Sequence, residues 1–127
     1  MAHFVGLDVS VKETSVCVVD AAGRVILEQK VPTDPADIIA ILTSLGVSFG
    51  RIGIEVGPLS QWLVNALTVA NLPVICVETR HMKALLTAQQ INKTGRNDAR
   101  GIAQMARVGL FKPVQLKTRV EIGRAHV

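Results

Sequence analysis

Three acidic residues stand in three separate stretches of this chain. Asp8 lies in Phe4-Val5-Gly6-Leu7-Asp8-Val9-Ser10, Glu55 in Ile52-Gly53-Ile54-Glu55-Val56-Gly57, and Asp98 in Asn92-Lys93-Thr94-Gly95-Arg96-Asn97-Asp98-Ala99-Arg100. The first two interrupt apolar, strand-like runs, where a carboxylate is costly unless something compensates its charge. A divalent cation is the natural compensation. Cations held by carboxylates drive phosphodiester chemistry: one helps activate the attacking hydroxyl or water, the other stabilises the leaving oxygen. Without metal, clustered carboxylates repel one another and raise a pKa within the set. Taken singly, each acid has a plainer reading as a strand-end or helix-start carboxylate, and Asp98 suits a helix N-terminus. Taken together, they favour a metal site.

The elements that must bring them together follow from periodicity. Residues 4–10, 14–20 and 24–31 read as strands, the last two joined by the turn Ala21-Ala22-Gly23, with Val25, Leu27 and Gln29 on one face of the third strand and Ile26 on the other. The period then changes. Asp34 is a good N-cap, Pro35 suits the first helical position, and Ile38, Ile39, Ile41, Leu42 and Leu45 form an apolar stripe ended by Gly46. Residues 51–56 read as a strand, 59–71 as a helix with Leu59, Trp62, Leu63, Ala66 and Leu67 on one face, and 73–78 as a strand. A helix to about residue 90 and another from Asn97 to Val108 complete the chain. The order β-β-β-α-β-α-β-α predicts a mixed α/β sheet with helices on both faces, the order of a ribonuclease-H-like fold. In that topology the first strand is central and lies beside the strand of Glu55, with Asp98 presented from the last helix.

Composition sets the partners. At 127 residues, 49% apolar and 19% charged, the chain is expected to be one globular domain. No apolar run is long enough to span a bilayer and the N-terminus lacks a signal-peptide pattern, so a cytoplasmic protein without a membrane partner is expected. The net charge of +4 hides an asymmetry. Residues 1–78 carry four Lys/Arg against eight Asp/Glu, and residues 79–127 carry ten against two. A basic half beside an acidic cluster suits a protein that grips a polyanion and holds metal against it. Lys93, Arg96 and Arg100 flank Asp98 and are the candidate phosphate contacts, against a plainer reading as helix-surface charge. His81 and Lys83 are weaker candidates. With three Phe, one Trp and no Tyr, a base-stacking platform is not expected. Cys17 and Cys76 lie in apolar runs and read as buried small hydrophobes, His3 as a surface residue, and Ser10 and Thr14 as turn and strand residues rather than nucleophiles.

The three motifs together closely resemble the N-terminal, RuvC-like domain of DEDD-type insertion-sequence transposases, whose relatives include the pilin-gene-inverting recombinases. The resemblance spans about residues 3–118. It implies metal-dependent DNA strand cleavage and exchange with Mg²⁺ or Mn²⁺, DNA as partner, a structured guide RNA in some members, and homo-oligomers. It also implies that Asp8, Glu55 and Asp98 match three of four metal-binding acids. The family pattern is Lys-Thr-Asp-x-x-Asp-Ala, and here Gly95 stands where the first of that acid pair belongs. One ligand is therefore missing, and weak metal binding with poor or absent activity is expected.

Family members continue into a helical segment and a C-terminal domain with a nucleophilic Ser; neither is found in this sequence, so a truncated chain is expected. Glu121-Ile122-Gly123-Arg124-Ala125-His126-Val127 is what a common sequencing-library adapter encodes in frame, and residues 119–127 are expected to be a non-native or disordered tail. Three other readings compete. An actin-like kinase or ATPase half shares the topology, but its phosphate-binding hairpin offers Gly where this chain has Val9-Ser10-Val11-Lys12-Glu13. A stand-alone RuvC-like nuclease, such as a Holliday-junction resolvase, would share the acids. A non-catalytic nucleic-acid-binding module would lack turnover with either metal.

Overall fold

The computed structural model describes residues 2–78, 98–109 and 112–114, with the backbone alone at Asp98 and Lys112. The strands are β1 (His3–Val9), β2 (Glu13–Val19), β3 (Val25–Pro32), β4 (Phe49–Glu55), β5 (Val74–Glu78) and the short β6 (Lys112–Pro113). The helices are α1 (Pro35–Thr43), α2 (Ser60–Val69) and α3 (Asp98–Val108). One sheet of order β3-β2-β1-β4-β5-β6 holds them all. β1 is central: it pairs antiparallel with β2 and parallel with β4, as the element order requires. β6, against β5, was not legible in so short a piece. The expected helix to about residue 90 lies outside the described residues, as do Lys93, Gly95, Arg96, His81, Lys83 and the tail 119–127. Among the described residues, no helix is long and apolar enough to cross a membrane.

Local chemistry explains the borders. Asp34 caps α1, its Oδ1 accepting from the Ala36 amide at 2.8 Å, and Pro35 occupies the first turn. Gly46 follows the helix at φ 65°. In the β2–β3 turn Gly23 takes φ 88°, and Asp20 Oδ1 accepts from the amides of Ala22 and Arg24 at 3.0 and 2.9 Å. The bond from Arg24 holds the Asp20 carboxyl below the usual range.

Two layers of helix enclose the sheet. Val5, Leu7, Val16, Val18, Ile52 and Ile54 face α1 and α2, where Ile38, Leu42, Leu63 and Leu67 are fully buried. The other face is covered by α3, whose Ala99, Ile102, Ala103, Met105 and Ala106 recur at helical spacing and are buried.

Three expectations are overturned. Trp62 is 49% exposed, because the buried face of α2 is Ser60, Leu63 and Leu67, and Trp62 lies beside it. Val25 does not share the face of Leu27: the register jumps from Val18↔Leu27 to Val19↔Val25, so Ile26 is an extra residue that breaks the alternation. His3 is half-buried rather than fully exposed. It opens β1, its amide donates to Ser48 O at 2.9 Å, and its Nδ1 is buried with no hydrogen-bond partner among the described residues.

Cys17 and Cys76 are buried free thiols, as expected. Burial, then the Glu28 carboxylate, pushes Cys17 up from 9.0 to about 11. The folded pKa is above the unfolded one, so the contribution is intact below 9.0 and fades as pH rises towards about 11, where the unfolded chain binds fewer protons. Denaturant titrations should show stability falling across that interval, and falling less in Cys17→Ala.

Candidate metal centre

Alternation along β1 and β4 decides which residues meet. Leu7 and Ile54 enter the core under α1 and α2 and are register partners, so Gly6 and Asp8 on β1 share the opposite face with Gly53 and Glu55 on β4. Gly6 and Gly53 are partners, and Asp8 and Glu55 stand one residue beyond the last pair, Leu7↔Ile54. Both acids are half-buried at the C-terminal ends of adjacent parallel strands. Neighbouring strands run roughly 4.8 Å apart, so this placement sets two carboxylates side by side.

The two glycines seat α3. A Cβ at Gly6 would run into the Ala99 carbonyl and lie 2.5 Å from Ala103 N; one at Gly53 would lie 2.9 Å from Ile102 Cγ2. The helix backbone therefore rests on the sheet itself. Its far end is fixed by Arg51, whose Nη1 donates to Ala106 O at 3.0 Å while its guanidinium sits 5.7 Å from the Phe4 ring centroid. Arg51 and Phe4 are near the N-terminal ends of their strands, so α3 runs antiparallel to β1. It starts, at Asp98, over the strand ends that carry Asp8 and Glu55. The positive end of the helix dipole lies there, which favours a cluster of carboxylates.

Asp8 and Glu55 are thus brought together on one face, and Asp98 begins the helix that covers it. Among the described residues, no group of three or more His, Cys, Asp or Glu side chains gathers, the Asp98 side chain not being among them. The donor set is carboxylate oxygen, which fits a hard divalent cation. A groove of about 310 Å³ opens beside Glu55, walled by Val9 at the end of β1, by Ser10 and Val11 of the β1–β2 turn and by the loop entering α2. Ser10 and Thr14 serve that turn: Ser10 Oγ donates to Glu13 O at 2.7 Å, and Thr14 Oγ1 lies 2.9 Å from Thr33 Oγ1.

Arg100, a candidate phosphate contact, points across the helix to β3. Its Nε and Nη2 donate to Glu28 Oε2 and Oε1 at 2.7 and 2.8 Å. This fork holds the Glu28 carboxyl below its usual range. The sequence reading missed both Glu28 and the glycine seat. A signal for the seat was present: Gly6-x-Asp8 and Gly53-x-Glu55 each put a glycine two residues before an acid, hence on the same strand face.

The sheet order, with a central β1 flanked by β2 and β4 and helices on both faces, defines a ribonuclease-H-like α/β fold of the RuvC type. Thermus thermophilus RuvC in complex with a Holliday junction substrate is similar at 16% identity and a TM-score of 0.62, over 90% of this chain and 100% of that one. A further T. thermophilus RuvC structure is similar at 16% identity and 0.62, over 88% and 99%. A ROK hexokinase from the same organism overlaps less, at 18% identity and 0.48 over 68% and 38%, too slight a likeness to carry a functional reading. No curated protein matches the chain. The family model of the DEDD transposases, described as a transposase, matches residues 5–121, and the chain belongs to that family.

Proposed function

We propose that residues 1–118 form the metal-binding catalytic domain of a bacterial insertion-sequence transposase, working on DNA in the cytoplasm by strand cleavage and exchange. The observation that carries this reading is the meeting of Asp8 and Glu55 on one sheet face under the start of α3, in a chain of the transposase family. Asp8, Glu55 and Asp98 would hold Mg²⁺ or Mn²⁺. Bound there, the cations supply activation of the attacking hydroxyl or water and charge stabilisation at the leaving oxygen. The protein's part is to fix the acids: strand alternation aims Asp8 and Glu55, and the glycine seat sets the helix that begins with Asp98. Lys93 and Arg96 would meet the phosphate backbone, giving binding that weakens with salt. DNA as partner is supported by the fold shared with a RuvC in complex with a Holliday junction substrate. A guide RNA and a homo-oligomer belong to the same proposal, as does weak activity in a chain with Gly95 at an acid position.

The test is DNA binding and cleavage by the chain in Mg²⁺ and in Mn²⁺. Salt-sensitive DNA binding, with cleavage that is slow or absent and any cleavage dependent on Asp8, is the expected result. Cleavage unaffected by Asp8→Asn would overturn the assignment, as would absence of DNA binding together with stabilisation by ATP.

A further inference from the structure

α3 is held on two sides by different means. Against the sheet it buries Ala99, Ile102, Ala103, Met105 and Ala106, but Ala99 is the one buried apolar residue of its first turn, so that turn gains little apolar area. Against the β2–β3 hairpin it uses polar groups at i, i+4 and i+7. Arg100 forks onto Glu28 at 2.7 and 2.8 Å, and Gln104 Nε2 donates to Gly23 O at 2.8 Å. Arg107 braces Gln104, its Nε donating to Oε1 at 2.9 Å, and reaches Ala21 O at 3.5 Å. Glu28 is the register partner of Cys17, which packs on Ala99 and Ala103, so it stands on the face that α3 covers. Arg100 is the contact of this row closest to the start of the helix, in the same turn as Asp98.

We infer that the Arg100–Glu28 pair is a positioning device: it fixes the first turn of α3 on the sheet and so sets where Asp98 stands relative to Asp8 and Glu55. Arg100 is then a positioning residue and not a DNA contact. Exposed ion pairs usually contribute little, but a two-bond guanidinium–carboxylate fork is the favourable exception, and Lys cannot reproduce it. The inference rests on the metal reading of the site.

The experiment compares the chain with Arg100→Lys and Glu28→Gln by amide hydrogen exchange and by Mn²⁺ affinity. The amides of Ile102 and Ala103 are the informative ones, because their acceptors lie in the first turn. Arg100→Lys keeps the charge near the acids, so a change in affinity reports geometry. Both variants are expected to exchange roughly fivefold faster at these amides and Arg100→Lys to lose Mn²⁺ affinity by a similar factor, while the melting temperature and α1 exchange stay put. The double variant Glu28→Arg/Arg100→Glu should recover slow exchange. Unchanged exchange, or faster exchange with unchanged Mn²⁺ affinity, overturns the positioning role. If the unaltered chain binds no Mn²⁺ while the variants exchange faster, the positioning role fails because the metal reading has failed, and the contact remains as an anchor only.

Discussion

Gly6→Ala will destabilise the protein by about 3 kcal/mol, and Gly53→Ala by less, about 2 kcal/mol. The difference comes from what each new methyl meets. At Gly6 the obstacles are backbone, the Ala99 carbonyl and Ala103 N at 2.5 Å, and backbone of a seated helix cannot turn aside. At Gly53 the obstacle is a single methyl, Ile102 Cγ2 at 2.9 Å; this buried β-branched side chain is held in its helical rotamer, but one side-chain contact is a smaller clash than the backbone atoms met at Gly6. Urea titrations of both variants give the comparison, with an unchanged slope as the condition for reading midpoints as stability. Equal costs, or a larger cost at Gly53, would contradict the account of how α3 is seated. Because α3 starts at Asp98, Gly6→Ala should also weaken Mn²⁺ binding, whereas destabilising changes under α1 should not.

Gly95→Asp will raise affinity for Mg²⁺ and Mn²⁺ on the order of tenfold or more, since affinity for hard cations follows the number of charged oxygen ligands. The sign of the stability effect depends on metal. With a chelator present the added carboxylate joins like charges and lowers the melting temperature; with Mn²⁺ present it raises it. Calorimetric titration and melting curves in both conditions check the pair of effects. No gain in affinity would remove the missing-ligand explanation, leaving Gly95 without a part in the site.

The fold was legible because its signals are local and repeated. Alternation in β1, β2 and β4, the Asp34–Pro35 start of α1 and the Gly23 turn all report at short range, and their order leaves few topologies. The central place of β1 beside β4, and with it the meeting of Asp8 and Glu55, followed from that order. What was not legible depends on contacts far apart in sequence. The Ile26 bulge is a property of a strand pair. Trp62 carries the hydrophobicity of a core residue, yet the orientation of α2 is set by Leu63 and Leu67, which leaves the ring outside. Arg100 was read from its neighbours in the chain, whereas its partner Glu28 stands 72 residues earlier. The Gly-x-Asp and Gly-x-Glu pairs show the opposite case: the glycines were visible, and only the helix that needs them gives them meaning.

The central claim is that Asp8 and Glu55, with Asp98, hold a divalent cation. Mn²⁺ titration of the unaltered chain beside Asp8→Asn and Glu55→Gln tests it most directly, with circular dichroism to establish that each variant is folded. The account predicts weak, saturable binding in the unaltered chain and none in either folded variant. Binding of equal strength in Asp8→Asn or Glu55→Gln would contradict it, as would the absence of saturable binding even after Gly95→Asp.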